Sequence, residues 1–187
     1  LYGLSVIKDV SDYVYITCDG VGEGETMSIY TIDIDYKIKK IWTNFYPNSI
    51  GLLYSTITDY LGFEINEGEF KVMSLSSFGK PIYEKELKKM FDINNFTINM
   101  DYFEFHKSPS KSFSKKLCEV FGEPYLNINE EANFNKYADI ASSTQLILEH
   151  TMKNLIQKAI NLTGKRNIVL TGGVALNCKM IHSLSKQ

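Results

Sequence analysis

The 187-residue sequence predicts an α/β fold, a mixed sheet with flanking helices, and three observations carry that prediction. Short segments of alternating apolar and polar residues follow one another at hairpin spacing near the start, the signature of an antiparallel meander. Longer stretches with apolar residues three and four apart fill the middle, as amphipathic helices require. Near the end a continuous apolar run bounded by glycine leads into a helical pattern, as a buried strand feeding a helix does. A composition of 44% hydrophobic and 22% charged residues belongs to a globular chain rather than a disordered one.

Residues 13–19, YVYITCD, alternate and end at Asp19-Gly20, a strand running into a turn. GVGEGET (20–26) sets Gly20, Gly22 and Gly24 on alternate positions, and MSIYTID (27–33) and YKIKKIWTNF (36–45) read as the second and third strands. Ser49 as N-cap and Gly62 at C′ bracket a helix of about three turns. Its apolar face is Ile50, Leu53, Tyr54, Ile57 and Leu61. Residues 65–79 read as a loop and a short element ending at Gly79, followed by the amphipathic segment IYEKELKKMF (82–91). Residues 92–134 hold a candidate hairpin in NNFTINMDYFEF and a short helix over 112–122. Asn and Ser are frequent there, so about 82–134 is expected to be a peripheral insertion. A long helix is expected from near Asn135 to about Asn161, stopped by Thr163-Gly164, with Leu148, Met152, Leu155, Ile156, Ala159 and Ile160 as its buried stripe. IVLTGG (168–173) reads as a buried strand and VALNCKMIHSLS as a helix with Asn177 one turn inside it. A further strand is expected beyond that helix, and Trp42 and the Tyr-rich strands are assigned to the core.

Charge and cysteine usage exclude several classes. Twenty basic and 22 acidic side chains give a net charge of −2, against the clustered Lys and Arg that a nucleic-acid surface needs. Cys18, Cys118 and Cys178 are odd in number with no CxxC pair, which argues against a zinc framework or disulfide scaffold and for a reducing, cytoplasmic setting. No apolar run approaches the roughly 18 residues of a membrane span, and no signal-peptide pattern is present. The opening Leu1-Tyr2-Gly3 without Met and the close at Ser185-Lys186-Gln187 inside a helical stretch suggest a piece of a longer protein.

Two constellations can carry chemistry. Asp19 with its glycines, CDGVGEGET, ends a strand with a carboxylate and a turn of freely oriented amides, a combination suited to a cation or a phosphate. The plainer alternative is a hairpin turn, for which Asp-Gly suffices. TGGVALN (171–177) sets a glycine pair between a strand and a helix start, where orphan amides and the helix dipole favour anions. Asn177 would donate to a ribose or carbonyl oxygen; close strand–helix packing around a satisfied Asn is the alternative. Neither string is the dinucleotide fingerprint or a P-loop. Two strand–turn clamps separated by a helical block are how a lobe of the actin-like ATPase class holds a nucleotide.

The blocks DGVGE (19–23), PNSIGLLYSTITDYLGF (47–63), EFKVMSLSSFGKP (69–81), YADIASSTQ (137–145) and LTGGVALNCK (170–179) occur in this order in one family. The sequence resembles the O-carbamoyltransferases of nodulation and antibiotic tailoring, in their Kae1-like domain. The resemblance spans most of residues 1–187, with 82–134 matching poorly. It implies a truncated lobe, mostly the second, of an actin-like (ASKHA, ribonuclease H-like) domain. It also implies carbamoyl phosphate and ATP as substrates, carbamoyl adenylate as the intermediate made by a YrdC-like domain, and transfer to a hydroxyl of a small acceptor beside a divalent metal, expected to be iron. On matching positions Asp19 would be a metal ligand, Gly20, Gly22, Gly172 and Gly173 would border phosphate, and Asn177 would contact the nucleotide or carbamoyl part. Lys71, within the KVM block, would approach a phosphate or stand solvated at the surface.

Departures from the family pattern are specific. Its paired histidines at HxxxH spacing are absent; His106, His150 and His182 lack that spacing and read as structural or surface groups. A further metal carboxylate, the first lobe and the YrdC-like domain are also missing, so this stretch alone is expected to be inactive. Ser74 and Ser142-Ser143 stand where the family carries smaller residues. Asp139 and Gln145, six apart on the long helix, either face the site or serve at the helix surface or in capping, the second being the expectation. Cys178 follows a helix start, which activates a thiol only beside a base that the sequence does not supply. Two rival readings stay open: a small-molecule kinase of the same fold, and a non-catalytic nucleotide-binding or assembly module.

Overall fold

The computed structural model describes residues 9–107 and 111–186; the opening Leu1-Tyr2-Gly3 and the closing Gln187 lie outside them. A four-stranded mixed sheet is covered on one face by helices. Its strands are β1 (Tyr13–Cys18), β2 (Glu25–Ile32), β3 (Ile38–Phe45) and β6 (Asn167–Thr171), in spatial order β3-β2-β1-β6. The first three form the expected antiparallel meander, and β6 pairs in parallel with β1 from Tyr13↔Asn167 to Thr17↔Thr171. Alternation decides which face each residue joins. Val14, Ile16 and Cys18 point into the main core with Met27 and Ile29, while Tyr15 meets Val10 and Ile32 on the opposite face. A parallel partner requires a long crossover. Helices α1 (Ile50–Tyr60), α2 (Glu69–Leu75), α3 (Glu84–Met90), α4 (Lys115–Phe121) and α5 (Glu131–Thr163) all lie within it. Helix α6 (Cys178–Ser185) follows β6.

Capping accounts for α1. The Ser49 hydroxyl accepts from Leu52 N at 3.1 Å, and Gly62 takes the left-handed φ of 84° just past the end. Ser49 Oγ also donates to the Asp19 carbonyl at 3.1 Å, so one side chain starts the helix and anchors the β1 turn. Ser49→Ala is expected to lower stability by about 1 kcal/mol, the usual worth of an N-cap. Urea unfolding of the intact protein would measure it, and an unchanged midpoint would remove this anchor.

Helix α5 begins at Glu131, four residues before the expected start, because no side chain caps it and its first turn has no apolar period to mark it. It ends as expected, with Gly164 in the left-handed region and its N–H on Ile160 O at 2.7 Å. Leu148, Met152, Leu155 and Ala159 of its stripe are buried. No helix among the described residues is long and apolar enough to cross a membrane.

The stretch expected to be peripheral shares the main core. A short hairpin, β4 (Phe91–Asp92) with β5 (Thr97–Ile98), and α4 carry it. Phe91, Phe96, Phe103, Phe113, Leu117 and Phe121 are buried in the same cluster as the sheet residues. Polar ties match: Asn44 Nδ2 donates to Phe96 O at 2.7 Å, and Asp59 accepts from Ser112 N at 3.2 Å. Trp42 sits at the rim of this packing, half-buried, 5.5 Å from the Phe96 ring and under the Lys158 ammonium at 4.9 Å.

Candidate functional site

The two glycine turns meet. Strands β1 and β6 are parallel neighbours, so their C-terminal ends lie side by side. At Gly173 a Cβ would stand 3.0 Å from Asp19 Oδ1, and at Gly172 one would stand 2.2 Å from the Cys18 carbonyl oxygen. Gly172 has φ 98°, which a side chain strains to adopt. Helix α1 closes in from a third side: a Cβ on Gly51 would lie 2.9 Å from Gly20 Cα. Glycine at these positions lets three backbones converge on the Asp19 carboxylate, whose Oδ1 accepts the Gly20 N–H at 2.8 Å.

Beside this junction opens a cavity of about 350 Å³. Asp19, Gly20 and Gly173 form one wall, Tyr54 and Asn177 also line the cavity, and Asn66 and Glu67 come from the loop leading into α2, whose first residue is Glu69. Phe70, Met73, Leu148 and Leu176 supply apolar surface. Three carboxylates and no Lys, Arg or His line it, so an anionic group held here must rely on backbone amides or on cations from elsewhere. The turn Gly173–Leu176 starts here, and the first N–H groups of such a turn have no partner within it.

Asn177 is not one turn inside a helix, as expected, but the N-cap of α6. A separate 3₁₀ turn occupies Gly173–Leu176, and Asn177 Oδ1 accepts from Met180 N at 2.9 Å. Its amide also makes a reciprocal pair with Gln145: Gln145 Nε2 donates to Asn177 Oδ1 and Asn177 Nδ2 to Gln145 Oε1, each at 3.0 Å. Gln145 therefore lies in the buried interior and not on the helix surface. Tyr54 OH donates to Gln145 Oε1 at 3.1 Å, and Gln145 Nε2 donates to Glu149 at 2.9 Å. Burial pushes the Tyr54 phenol well above its ordinary range.

Other expected residues lie apart. Gly22, at φ 52°, shapes the hairpin turn outside the cavity lining, and the exposed Lys71 holds its ammonium 5.6 Å over the Phe63 ring and 5.9 Å over Phe70. Asp139 caps no helix; it accepts the Lys80 N–H at 2.7 Å and so ties the loop ahead of α3 to α5. His150 faces Glu84 at 3.9 Å, and His106 and His182 are exposed. Cys178 Sγ rests 3.7 Å from Met73 Sδ. Burial raises the Cys18 thiol far above its ordinary range, so that sulfur packs and does not react.

The family model described as carbamoyltransferase N-terminus matches residues 10–187. The chain belongs to that family. Among curated relatives, an uncharacterised Synechocystis protein is 35% identical over 172 residues, covering 89% of this chain and 28% of its own length. An uncharacterised protein of Methanocaldococcus jannaschii is 30% identical, covering 97% of this chain and 34% of its own. Nodulation protein NolNO of Sinorhizobium fredii is 26% identical, covering 88% and 23% respectively. The chain thus spans about a quarter to a third of the length of these relatives. In this chain of the carbamoyltransferase family, Tyr54, Gly51 and the Glu67–Glu69 wall are lining residues that sequence reasoning missed, while Gln145, weighed there as a site-facing residue, joins the site through Asn177. A glycine in the first turn of α1 was the available signal for Gly51. Tyr54 was hidden in the apolar stripe of α1, where a ring gives no sign that its hydroxyl is used.

Proposed function

We propose that this chain is a nucleotide-facing lobe, of actin-like architecture, in an O-carbamoyltransferase that passes the carbamoyl group of carbamoyl adenylate to a hydroxyl of a small acceptor. The observation that carries the reading is the apposition of the two glycine turns, Asp19 against Gly173, at the mouth of the cavity. Family membership over residues 10–187 supports the carbamoyl chemistry, and the meander with a parallel fourth strand supports the architecture.

The chain's own groups then divide the work. Backbone amides of the Gly172-Gly173 turn would border a phosphate of the adenylate; Gly20 lines the same wall, but its N–H is taken by the Asp19 carboxylate, and Gly22 shapes the turn behind it. Asn177 donates to a ribose or carbamoyl oxygen, and amide donors of this kind stabilise charge that develops on a carbonyl oxygen during transfer. Lys71 lies outside the cavity lining, with its ammonium beside Phe70, whose ring does line it. ATP and carbamoyl phosphate, the other lobe and a YrdC-like domain would complete the reaction. Three free cysteines agree with a cytoplasmic setting.

Iron or another divalent metal does not find a full set of ligands here. Among the described residues no group of three His, Cys, Asp or Glu side chains can hold an ion, so Asp19 offers a single ligand.

The test uses the intact protein with carbamoyl phosphate, ATP and a divalent cation, followed by separation of the nucleotide products. AMP with pyrophosphate, dependent on carbamoyl phosphate, is expected. ADP as the only product would identify a kinase of the same fold, and no turnover would favour a binding module.

A further inference from the structure

We infer that Gln145 is a positioning residue that fixes Asn177 as a one-donor group facing the cavity, so that the ligand atom at Asn177 must be a hydrogen-bond acceptor. This rests on the reading above that Asn177 touches the bound adenylate.

The orientation of both amides follows from the partners that cannot change role. Met180 N–H can only donate, so the oxygen of Asn177 faces it, at 2.9 Å. The Glu149 carboxylate accepts, so the nitrogen of Gln145 faces it, also at 2.9 Å. With these two ends set, the reciprocal pair between the amides can form in one sense only, nitrogen of each to oxygen of the other.

Counting capacity then leaves little free. An amide oxygen accepts two hydrogen bonds and its nitrogen donates two. Gln145 Oε1 accepts from Tyr54 OH and Asn177 Nδ2, and its Nε2 donates to Glu149 and Asn177, so Gln145 is saturated. Asn177 Oδ1 is saturated by Gln145 and Met180. The second Nδ2–H of Asn177 is the one amide hydrogen of the pair without a well-aligned acceptor among the described residues; the Tyr54 hydroxyl stands near it, and both residues line the cavity. Gln145, 2% exposed, cannot itself reach a ligand and acts through Asn177.

Hydrogen–deuterium exchange on the intact protein tests this, with AMP as the probe and peptides covering residues 171–180 as the local readout. AMP is expected to protect that segment in the unsubstituted protein. Asn177→Asp keeps the acceptor that caps α6 but removes the donor, and should raise the AMP concentration for half-protection about tenfold, within the range of one lost hydrogen bond. Gln145→Leu should raise it similarly, and the double variant no further, because both act through one donor. Gln145→Leu strands buried partners, so Glu149→Gln serves as the milder variant. It preserves volume, frees the Gln145 amide to turn, and should shift half-protection several-fold while the melting temperature holds. A shifted Asn177→Asp with unshifted Gln145→Leu and Glu149→Gln overturns the positioning role alone. An unshifted Asn177→Asp, or no protection of 171–180 at all, overturns the ligand contact at Asn177 and the positioning role with it.

Discussion

Gly172→Ala is expected to cost more than about 4 kcal/mol, beyond what a left-handed backbone position alone accounts for. Two penalties combine at this residue. Its φ of 98° is strained for any L side chain, which by itself costs about 1–3 kcal/mol. The added Cβ would also stand 2.2 Å from the Cys18 carbonyl oxygen and 2.8 Å from its carbon. Those atoms belong to the end of β1, which is held between β2 and β6 and cannot withdraw without breaking ladder pairs. Gly24→Ala provides the control: φ is 96°, but nothing lies within 4 Å of the new Cβ, so only the backbone strain remains. The measurement is the denaturant midpoint at which residues 13–18 and 167–171 lose exchange protection in the intact protein. Equal losses in the two variants would mean that the close approach of the two strand ends does not exclude a side chain. A larger loss for Gly172→Ala would tie stability to the same approach that sets Gly173 against Asp19.

What could be read in advance follows from how local each signal is. Helix α1 was legible to the residue because Ser49 and Gly62 act within one turn of it, and the meander was legible because alternation has period two. The start of α5 was not, since Glu130 makes no cap and helicity there depends on tertiary packing. The place of Asn177 was misread for a related reason: an Asn at an N-cap and one inside a first turn look alike until the Gly172 turn shows where the chain changes direction. Gln145 carried no sign of burial, because a saturated buried amide depends on partners 32 and 91 residues away in sequence. Residues 91–121 misled in the opposite sense. Their Asn and Ser content pointed outward, whereas aromatic rings at irregular spacing, invisible to any periodicity, take them into the core.

That last correction has its sharpest test at Tyr60. Tyr60→Ala is expected to cost about 3–5 kcal/mol, the range for deleting a large buried ring. The ring is fully buried at the C-terminal end of α1 and lies 5.5 Å from Phe113, 5.8 Å from Phe121 and 6.2 Å from Tyr137. Its single O–H is shared between Gly122 O at 3.0 Å and Glu123 O at 3.2 Å. Tyr60→Phe should therefore lose about 1 kcal/mol, the hydrogen-bond share, and leave the packing share intact. Phe78→Ala is the comparison for an aromatic ring that packs without burial, since Phe78 is 71% exposed against Phe134, and it should cost well under half as much. Thermal unfolding of the three variants of the intact protein separates the cases. If Tyr60→Ala cost no more than Phe78→Ala, the stretch around Phe113 and Phe121 would be an appended layer after all. If the large loss is found, the consequence reaches the cavity, because the helix that Tyr60 anchors at one end carries Ser49, Gly51 and Tyr54 toward Asp19 and Gln145 at the other.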